Sequence, residues 1–367
     1  MNKRKKEKIA VLMSGGVDSS VAALLLKNLG FDLIGVHLKI SKFCNPQDEL
    51  DARLVAEKLN FPIYTLDISE DYQKKITLEV IKEYSMGFTP NPDVLCNSQI
   101  KFGLVLELLK NLNIKYLATG HYAKIIKFKN YYLLAGPKDL NKDQTYFLWQ
   151  INKNNLKNIF FPIGGYLKSE VRQIASLNNL PNAYKKDSQG ICFLGKIKLR
   201  NFLEEYLPIY KGPIMDTNNN ILGYHSGYYF FTEGQRHGLN IKLGTGPYYV
   251  ALKNQKKNTL IVAKENENIL FSLKIAVKKI NILVNKEILN KINKDNKIEI
   301  LVRCRYRQPL VPAILDLKNK IVAFKEKIKN IALGQSAVFY INGQQIDNNL
   351  KGEIILLGGG VIIKKIN

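Results

Sequence analysis

Two periodicities of apolar residues alternate along the first 120 residues or so of the chain. Short apolar runs predict strands, and apolar positions spaced three and four residues apart predict helices. The strand-like segments are residues 8–13, 31–40, 61–69 and 116–122, and the helix-like segments are residues 19–30, 48–60, 71–85 and 98–113. Because this alternation is typical of parallel strands joined by helical crossovers, it predicts an α/β domain that binds its ligand at the carboxyl ends of the strands.

The pattern changes after His121 and becomes mostly strand-like towards the end of the chain. Residues 123–136 predict a hairpin and residues 168–180 a helix with a capped start. Short glycine- and tyrosine-rich runs follow from near residue 205, and β-type runs with the spacing of a small barrel follow from near residue 273. We therefore expect an α/β parallel-sheet domain, a small mixed β-rich central domain and a C-terminal antiparallel β-barrel, over residues 1–205, 206–272 and 273–367.

Composition adds a strong positive charge to this picture. Lys and Arg number 55 against 31 Asp and Glu, which gives a net charge of +24. Such an excess attracts polyanions, above all nucleic acid, but lysine also accumulates on solvated faces in a chain rich in Lys, Asn and Ile, so charge alone leaves both explanations open. No apolar run approaches the ~20 residues that span a bilayer, and the run after the basic N-terminus is too short for a signal peptide, so we expect a cytoplasmic protein without a membrane partner.

The most specific motif is the turn between the first strand and the first helix, "LMSGGVDSS". Two glycines let the backbone approach a phosphate, and the helix N-terminus and serine hydroxyls add hydrogen bonds to it. The lysine of a Walker loop is missing, so a loop built for γ-phosphate transfer is excluded. The order S-G-G-x-D-S resembles the PP-loop of ATP pyrophosphatases, while the plain structural alternative is a tight turn with a capping serine.

The acidic residue inside this loop predicts a counter-ion. We expect Asp18 to face a magnesium ion that bridges phosphate oxygens. Leu38, near the end of the second strand, and Gly120, after the fourth, lie where nucleoside contacts are expected at strand ends.

Two of the four cysteines are candidates for chemistry. Their scatter, without a C-x-x-C, argues against a zinc site formed by the chain. Cys96 precedes a helix that we start near Ser98, and a helix N-terminus lowers the pKa of a thiol. Cys192 lies in a glycine-flanked loop, and two exposed thiols on separate loops can run a persulfide and disulfide cycle. Cys44 and Cys304 are expected to be small buried residues without a role.

Eight segments in a fixed order carry a resemblance to one known family. They are "SGGVDSS", "TPNPDVLCNSQIKFG", "ATGHYA", "KDQTYFLW", "KDSQGICFLG", "GQRHGL", "RYRQ" and "GQSAVFY". The set resembles the tRNA-specific 2-thiouridylases, from about residue 8 to the terminal "LGGGVI". That family converts the wobble uridine of certain tRNAs to 2-thiouridine, with ATP and a persulfide as reagents.

The resemblance implies roles for individual residues. Cys96 matches the nucleophile, Cys192 the persulfide carrier and Asp93 an acid–base residue against the target base. The implied ATP contacts are Leu12, Met13, Ser14, Gly15, Gly16, Val17, Asp18, Ser19, Leu38 and Gly120. The implied tRNA contacts are Asn91, Pro92, Asp93, His121, Lys142, Asp143, Gln144, Arg305, Tyr306 and Gln335.

The implied reaction has two halves. The 2-carbonyl oxygen of the uridine attacks the α-phosphate of ATP and releases pyrophosphate, and the persulfide sulfur of Cys192 then displaces AMP, directly or after Cys96 liberates it as hydrosulfide. A sulfur-relay protein or a cysteine desulfurase is the implied donor. The alternatives are a PP-loop ligase that amidates a small molecule or nucleotide, although the chain has no recognisable glutaminase part, and a non-catalytic RNA-binding protein.

Overall fold

The computed structural model describes residues 7–187, 195, 197–241 and 246–366. Cys192 lies outside these described residues. In the described ranges, no helix is both long enough and apolar enough to span a membrane.

The N-terminal part contains a five-stranded parallel sheet, as the alternating pattern predicts. Its strands run in the order β3-β2-β1-β4-β7, and β1 has a parallel neighbour on each side. The strands of this part, with the hairpin β5–β6, are β1 (Lys8–Leu12), β2 (Asp32–Lys39), β3 (Ile63–Asp67), β4 (Tyr116–Ala118), β5 (Lys124–Phe128), β6 (Tyr131–Ala135) and β7 (Ile159–Phe160). The chain order reverses beside β1, so a crevice for a ligand is expected at its carboxyl end.

The helices of this part occupy the segments between the strands. They are α1 (Val17–Asn28), α2 (Pro46–Lys58), α3 (Ser69–Tyr72), α4 (Leu78–Ser85), α5 (Pro92–Leu95), α6 (Leu106–Asn111) and α7 (Lys168–Leu177). A π-helical stretch, Gln73–Thr77, joins α3 to α4, and a longer one, Cys96–Val105, joins α5 to α6. The four predicted helices before residue 120 and the later predicted helix are thereby confirmed.

The start of the fourth helix differs from the prediction. The sequence predicts its start near Ser98, but the continuous helix from α5 to α6 begins at Pro92. Pro92 stands at its first position with Asn91 as the N-cap residue, a place where the fixed φ of proline suits a helix and its missing N–H costs nothing. Pro92 therefore starts the helix that carries Cys96.

The central part is a small mixed sheet with the order β10-β11-β8-β9. The pair β11–β8 is parallel and the other two pairs are antiparallel. The sheet consists of β8 (Gly212–Met215), β9 (Ile221–His225), β10 (Tyr248–Asn254) and β11 (Thr259–Lys264), and it follows the short helix α8 (Leu199–Glu204).

The C-terminal part is a closed antiparallel barrel of six strands. The strands follow the order β12-β15-β14-β13-β16-β17, and pairing of β12 with β17 closes the ring. The elements are β12 (Phe271–Ile282), α9 (Lys286–Ile292), β13 (Lys297–Arg303), β14 (Val311–Asp316), β15 (Ile321–Lys329), β16 (Ser336–Asn342) and β17 (Ile354–Ile366). The predicted α/β, mixed and barrel architecture is confirmed.

The hairpin β5–β6 connects the first part to the barrel. The sequence predicts this hairpin, but not that Ala135 of β6 pairs with Ile355 of β17. The eight-stranded sheet that results includes strands separated by more than two hundred positions in the chain. The barrel therefore lies against the N-terminal part through backbone pairing as well as through side chains.

Candidate active site

The glycine turn after β1 has the conformation that a phosphate loop requires. Gly15 has φ +74°, and a Cβ on it would lie 2.1 Å from the carbonyl oxygen of Asp48, so only glycine fits there. The Ser19 hydroxyl donates to the carbonyl of Gly16 at 3.0 Å and accepts from the amide of Ser14 at 3.3 Å, which fixes the turn. Among the described residues no side chain caps α1 at Gly16, so its first amides are available to an anion.

The remaining candidate ATP contacts surround this turn. Leu12 ends β1, Met13 is buried beneath the turn, and Val17 opens α1. A Cβ on Gly120 would lie 2.6 Å from the amide nitrogen of Ser19, so the turn after β4 packs closely on the start of α1. Leu38 is half-buried at the carboxyl end of β2, beside β1.

Asp18 already has a cationic partner in the fold. The ammonium of Lys168 donates to its carboxylate at 2.7 Å, and the Tyr122 hydroxyl donates at 3.0 Å. In the described ranges no group of three or more His, Cys, Asp or Glu side chains surrounds a metal position. A lone carboxylate at a phosphate loop still fits a magnesium ion held mainly by phosphates and water, so magnesium stays a prediction.

Asp93 and Cys96 lie about one turn apart at the start of the continuous helix, and burial changes the pKa of both side chains. Burial raises the pKa of the Asp93 carboxyl and of the Cys96 thiol, while the nearby charge of Lys101 lowers both. Only 2% of Cys96 is exposed, and it belongs to the same buried cluster as Leu12. The raised pKa keeps the Asp93 carboxyl protonated closer to neutral pH, which suits a proton donor.

The expectation of an exposed Cys96 with a lowered pKa is wrong for this structure. The helix starts four residues before Cys96, which places the thiol on the inward face of the helix and not at its tip. Desolvation then dominates, because burial in apolar surroundings disfavours the charged thiolate. Cys304 is buried, as expected, and burial raises its pKa to about 12, whereas Cys44 is only partly buried.

Lys101 is a site residue that motif reading missed. It lies in the π-helical stretch, five positions after Cys96, and its charge affects Asp93, Cys96 and His121 together. The sequence held one signal for it, because the lysine of "CNSQIKFG" follows the thiol by roughly one helical turn. Wide π turns, which are common at functional sites, bring residues at this spacing onto one face.

His121 connects the helix of Cys96 to the glycine turn. Its ring lies 5.9 Å from that of Phe102 on the helix, and its Nδ1 is 2.7 Å from the Thr119 hydroxyl. Burial, followed by the charge of Lys101, lowers the pKa of His121 well below its usual range, so the ring is neutral. Gly120 packs on the start of α1 and the adjacent His121 packs on the helix of Asp93 and Cys96, so one short connection contacts both the glycine turn and that helix.

The candidate tRNA turn at residues 142–144 is tied into the fold. Asp143 is buried and pairs with Arg303 at 3.1 Å, and Gln144 accepts from the Tyr122 amide at 2.8 Å. Lys142 pairs with Asp187 at 2.9 Å. Asp143 and Gln144 thus have structural partners, and their contact with tRNA stays a prediction.

The barrel brings its own candidates towards Asp93. Gln335 donates through its side-chain amide to the Thr89 carbonyl at 2.9 Å, next to Pro90 and the Asn91–Asp93 segment. Tyr306 packs on Phe147 with ring centroids 4.5 Å apart, and Arg305 is exposed beside it. An exposed arginine next to an aromatic ring is a suitable surface for an unpaired base.

The fold and this site together define a PP-loop α/β protein with two β-rich parts appended to its nucleotide-binding domain. Family models match it in three consecutive segments: a tRNA methyl transferase HUP domain over residues 7–196, a tRNA methyl transferase PRC-barrel domain over 200–264 and an aminomethyltransferase beta-barrel domain over 272–362.

Relatives that align with nearly the whole chain identify the family within this class of PP-loop proteins. The tRNA-specific 2-thiouridylase MnmA of Karelsulcia muelleri is 41% identical over 94% of this chain and 99% of its own length. Those of Mycoplasma mycoides and Geobacillus kaustophilus are each 40% identical, over 98% and 96% of this chain and 100% and 97% of their own lengths. The chain belongs to the tRNA-specific 2-thiouridylase family.

Proposed function

We propose that this chain is a tRNA-uridine 2-sulfurtransferase, which uses ATP to convert the wobble uridine of tRNA to 2-thiouridine. The observation that carries the proposal is the shared connection at Gly120 and His121: Gly120 packs on the start of α1, and His121 packs on Phe102 of the helix that carries Cys96. A nucleotide-activating turn and a thiol with a carboxyl then face one substrate. The membership of the chain in the 2-thiouridylase family supports the same activity.

The glycine turn and the start of α1 bind the phosphates of ATP, with Leu38 and Gly120 on the nucleoside side. The 2-carbonyl oxygen of the uridine attacks the α-phosphate, pyrophosphate leaves, and the base is activated as an adenylate. Asp18 is the residue that would hold a magnesium ion, whose charge would neutralise phosphate oxygens. Asp93, with its raised pKa, exchanges the proton of the base.

Sulfur transfer completes the reaction. The outer sulfur of a Cys192 persulfide attacks C2 of the base and AMP leaves, while the Cys96 thiolate attacks the inner sulfur. The outer sulfur is thereby reduced, the two thiols are oxidised to a Cys96–Cys192 disulfide, and an external thiol reduces that bond before the next turnover. The same bonds change in a different order if Cys96 first liberates the sulfur as hydrosulfide.

The anticodon stem-loop is the proposed tRNA region. The wobble base must leave its stack to reach Asp93, and Arg305 and Tyr306 provide hydrogen bonds and stacking for the loop. A sulfur-relay protein or a cysteine desulfurase supplies the persulfide, in the cytoplasm.

The test is incubation with ATP, a sulfur donor and unmodified tRNA, with 2-thiouridine, AMP and pyrophosphate as the measured products. Cys192→Ala should abolish thiolation and leave tRNA binding nearly intact, whereas Cys44→Ala removes a thiol with no assigned role and should retain activity. Normal thiolation by Cys192→Ala would contradict the persulfide role. ATP cleavage that does not depend on tRNA, without any 2-thiouridine, would favour the amidating ligase.

A further inference from the structure

The glycine turn lacks the cation that polyphosphate binding requires. A Walker loop carries a lysine within its own motif, and "SGGVDSS" has none. Backbone amides and a helix N-terminus supply only partial positive charge. Apart from a magnesium ion at Asp18, a fixed positive charge for the β- and γ-phosphates must therefore come from another part of the fold.

The structure brings Lys168 to this position from the first residue of α7. Its ammonium lies 2.7 Å from Asp18 on the first turn of α1, and its side chain is only 12% exposed. The two residues are 150 positions apart in the chain. A largely buried ammonium next to the glycine turn can supply the positive charge that a loop lysine supplies in a Walker loop.

Asp187 is the second unusual feature of this region. Three cations of the described ranges surround its carboxylate: Arg172 at 2.7 Å, Lys168 at 2.9 Å and Lys142 at 2.9 Å. Burial acts to raise the pKa of Asp187, but hydrogen bonds from Lys142 and Lys168 outweigh it and hold the pKa below its usual range. With Asp18 counted, two carboxylates share three cations here, so one positive charge is left over for a further anion.

We propose that Lys168, assisted by Arg172, binds the pyrophosphate portion of ATP, and that Asp187 occupies this anion position until the nucleotide displaces it. The inference rests on the proposed function in taking ATP as the ligand. Lys168 contacts Asp18 and Asp187 at the same time, so it can exchange a carboxylate for a phosphate oxygen with little movement. It also stabilises the departing pyrophosphate.

A purely mechanical explanation predicts a different outcome. If these ion pairs only fasten α7 to the glycine turn, removing any member loosens the site and weakens every ligand. If Asp187 is an anion that competes with pyrophosphate, then removing its charge strengthens pyrophosphate binding. Lys138 provides a matched control, because it pairs with Glu170 on the same helix at 2.8 Å but lies in a more exposed pair.

The experiment measures the affinity of the full chain for pyrophosphate and for AMP by titration calorimetry, with melting temperatures recorded alongside. Lys168→Gln should bind pyrophosphate about tenfold more weakly or worse, the loss expected for a hydrogen bond to a charged group, and AMP within about twofold. Lys168→Arg should restore part of the affinity. Asp187→Asn should bind pyrophosphate severalfold more tightly, and Lys138→Gln should behave as the wild type.

Three results would overturn the inference. Unchanged pyrophosphate affinity in Lys168→Gln would remove the lysine from the site. Equal losses for pyrophosphate and AMP, with a lower melting temperature in both Lys168→Gln and Asp187→Asn, would assign the ion pairs to folding alone. A wild-type chain that binds neither ligand would overturn this inference, whereas the proposed function would be overturned separately, by the absence of 2-thiouridine in the thiolation assay.

Discussion

At the scale of single residues, the pKa values of Asp93 and Cys96 depend on burial, which the charge of Lys101 opposes at both. Desolvation raises both pKa values. A protonated Cys96 is a weak nucleophile and is protected from oxidation. The charge of Lys101, followed by a hydrogen bond from Tyr72, therefore favours the thiolate against burial.

We predict that Lys101→Met raises the pKa of Cys96 further. Loss of a nearby positive charge disfavours the thiolate, so the midpoint of thiolate formation should move to higher pH. The measurement is ultraviolet absorbance of the thiolate against pH, as the difference between each protein and its Cys96→Ser partner. Lys110→Met, an exposed lysine on α6 of the same continuous helix, is the control and should leave the midpoint in place; the same midpoint in both would refute the role of Lys101.

At the scale of elements, the helix that carries Cys96 is wider than an α-helix over ten residues, Cys96–Val105. Wide turns change which side chains share a face, and they bring Lys101 into electrostatic contact with Cys96. Gly103 fits this geometry, because a Cβ on it would lie 2.7 Å from the carbonyl oxygen of Ser98.

Gly103→Ala should destabilise the protein, although alanine normally stabilises a helix interior relative to glycine. The added methyl group meets backbone, so we expect a loss of about 1–3 kcal/mol in the free energy of unfolding, measured by urea denaturation. Gly165→Ala provides the comparison, because no described atom lies within 4 Å of a Cβ there. A stabilised Gly103→Ala would show that the helix can return to ordinary α geometry.

At the scale of the whole molecule, the barrel supports the loop that leads to Asp93. Gly334, with φ +90°, approaches so closely that a Cβ on it would lie 2.7 Å from the amide nitrogen of Thr89, and Gln335 donates to the Thr89 carbonyl. The central part joins the same region, since the Thr89 hydroxyl donates to the hydroxyl of Thr232 at 3.4 Å. The position of Asp93 thus depends on all three parts of the chain.

Gly334→Ala should separate these parts and slow thiolation with little change in ATP affinity. A displacement of about 1 Å at a reacting group costs up to about a hundredfold in rate, so we expect a decrease of about tenfold or more in kcat for 2-thiouridine formation. Gly352→Ala carries nearly the same backbone strain, φ +88°, with no described atom within 4 Å of its Cβ. Equal rates in the two variants would contradict a supporting role for the barrel.

The element types and the glycine turn were readable from the sequence because they depend on near neighbours. Apolar spacing reports which face of a strand or helix is buried, and Ser14, Gly15 and Gly16 report a turn that only small residues fit. The resemblance to the 2-thiouridylase family, carried by short segments in a fixed order, pointed to Asp93 and Cys96. None of this required knowledge of the contacts between distant parts.

The tertiary structure alone decided what surrounds these residues. It placed Lys168 at a loop 150 positions away, buried Cys96 on the inner face of a helix that starts at Pro92, and joined β6 to the barrel at β17. The physical reason is that desolvation and Coulomb interactions depend on distance in space, which chain position does not encode for residues in different elements. The sequence by itself determined the local conformation and the kind of chemistry, and the packing of distant segments determined the charge and accessibility of the groups that perform it.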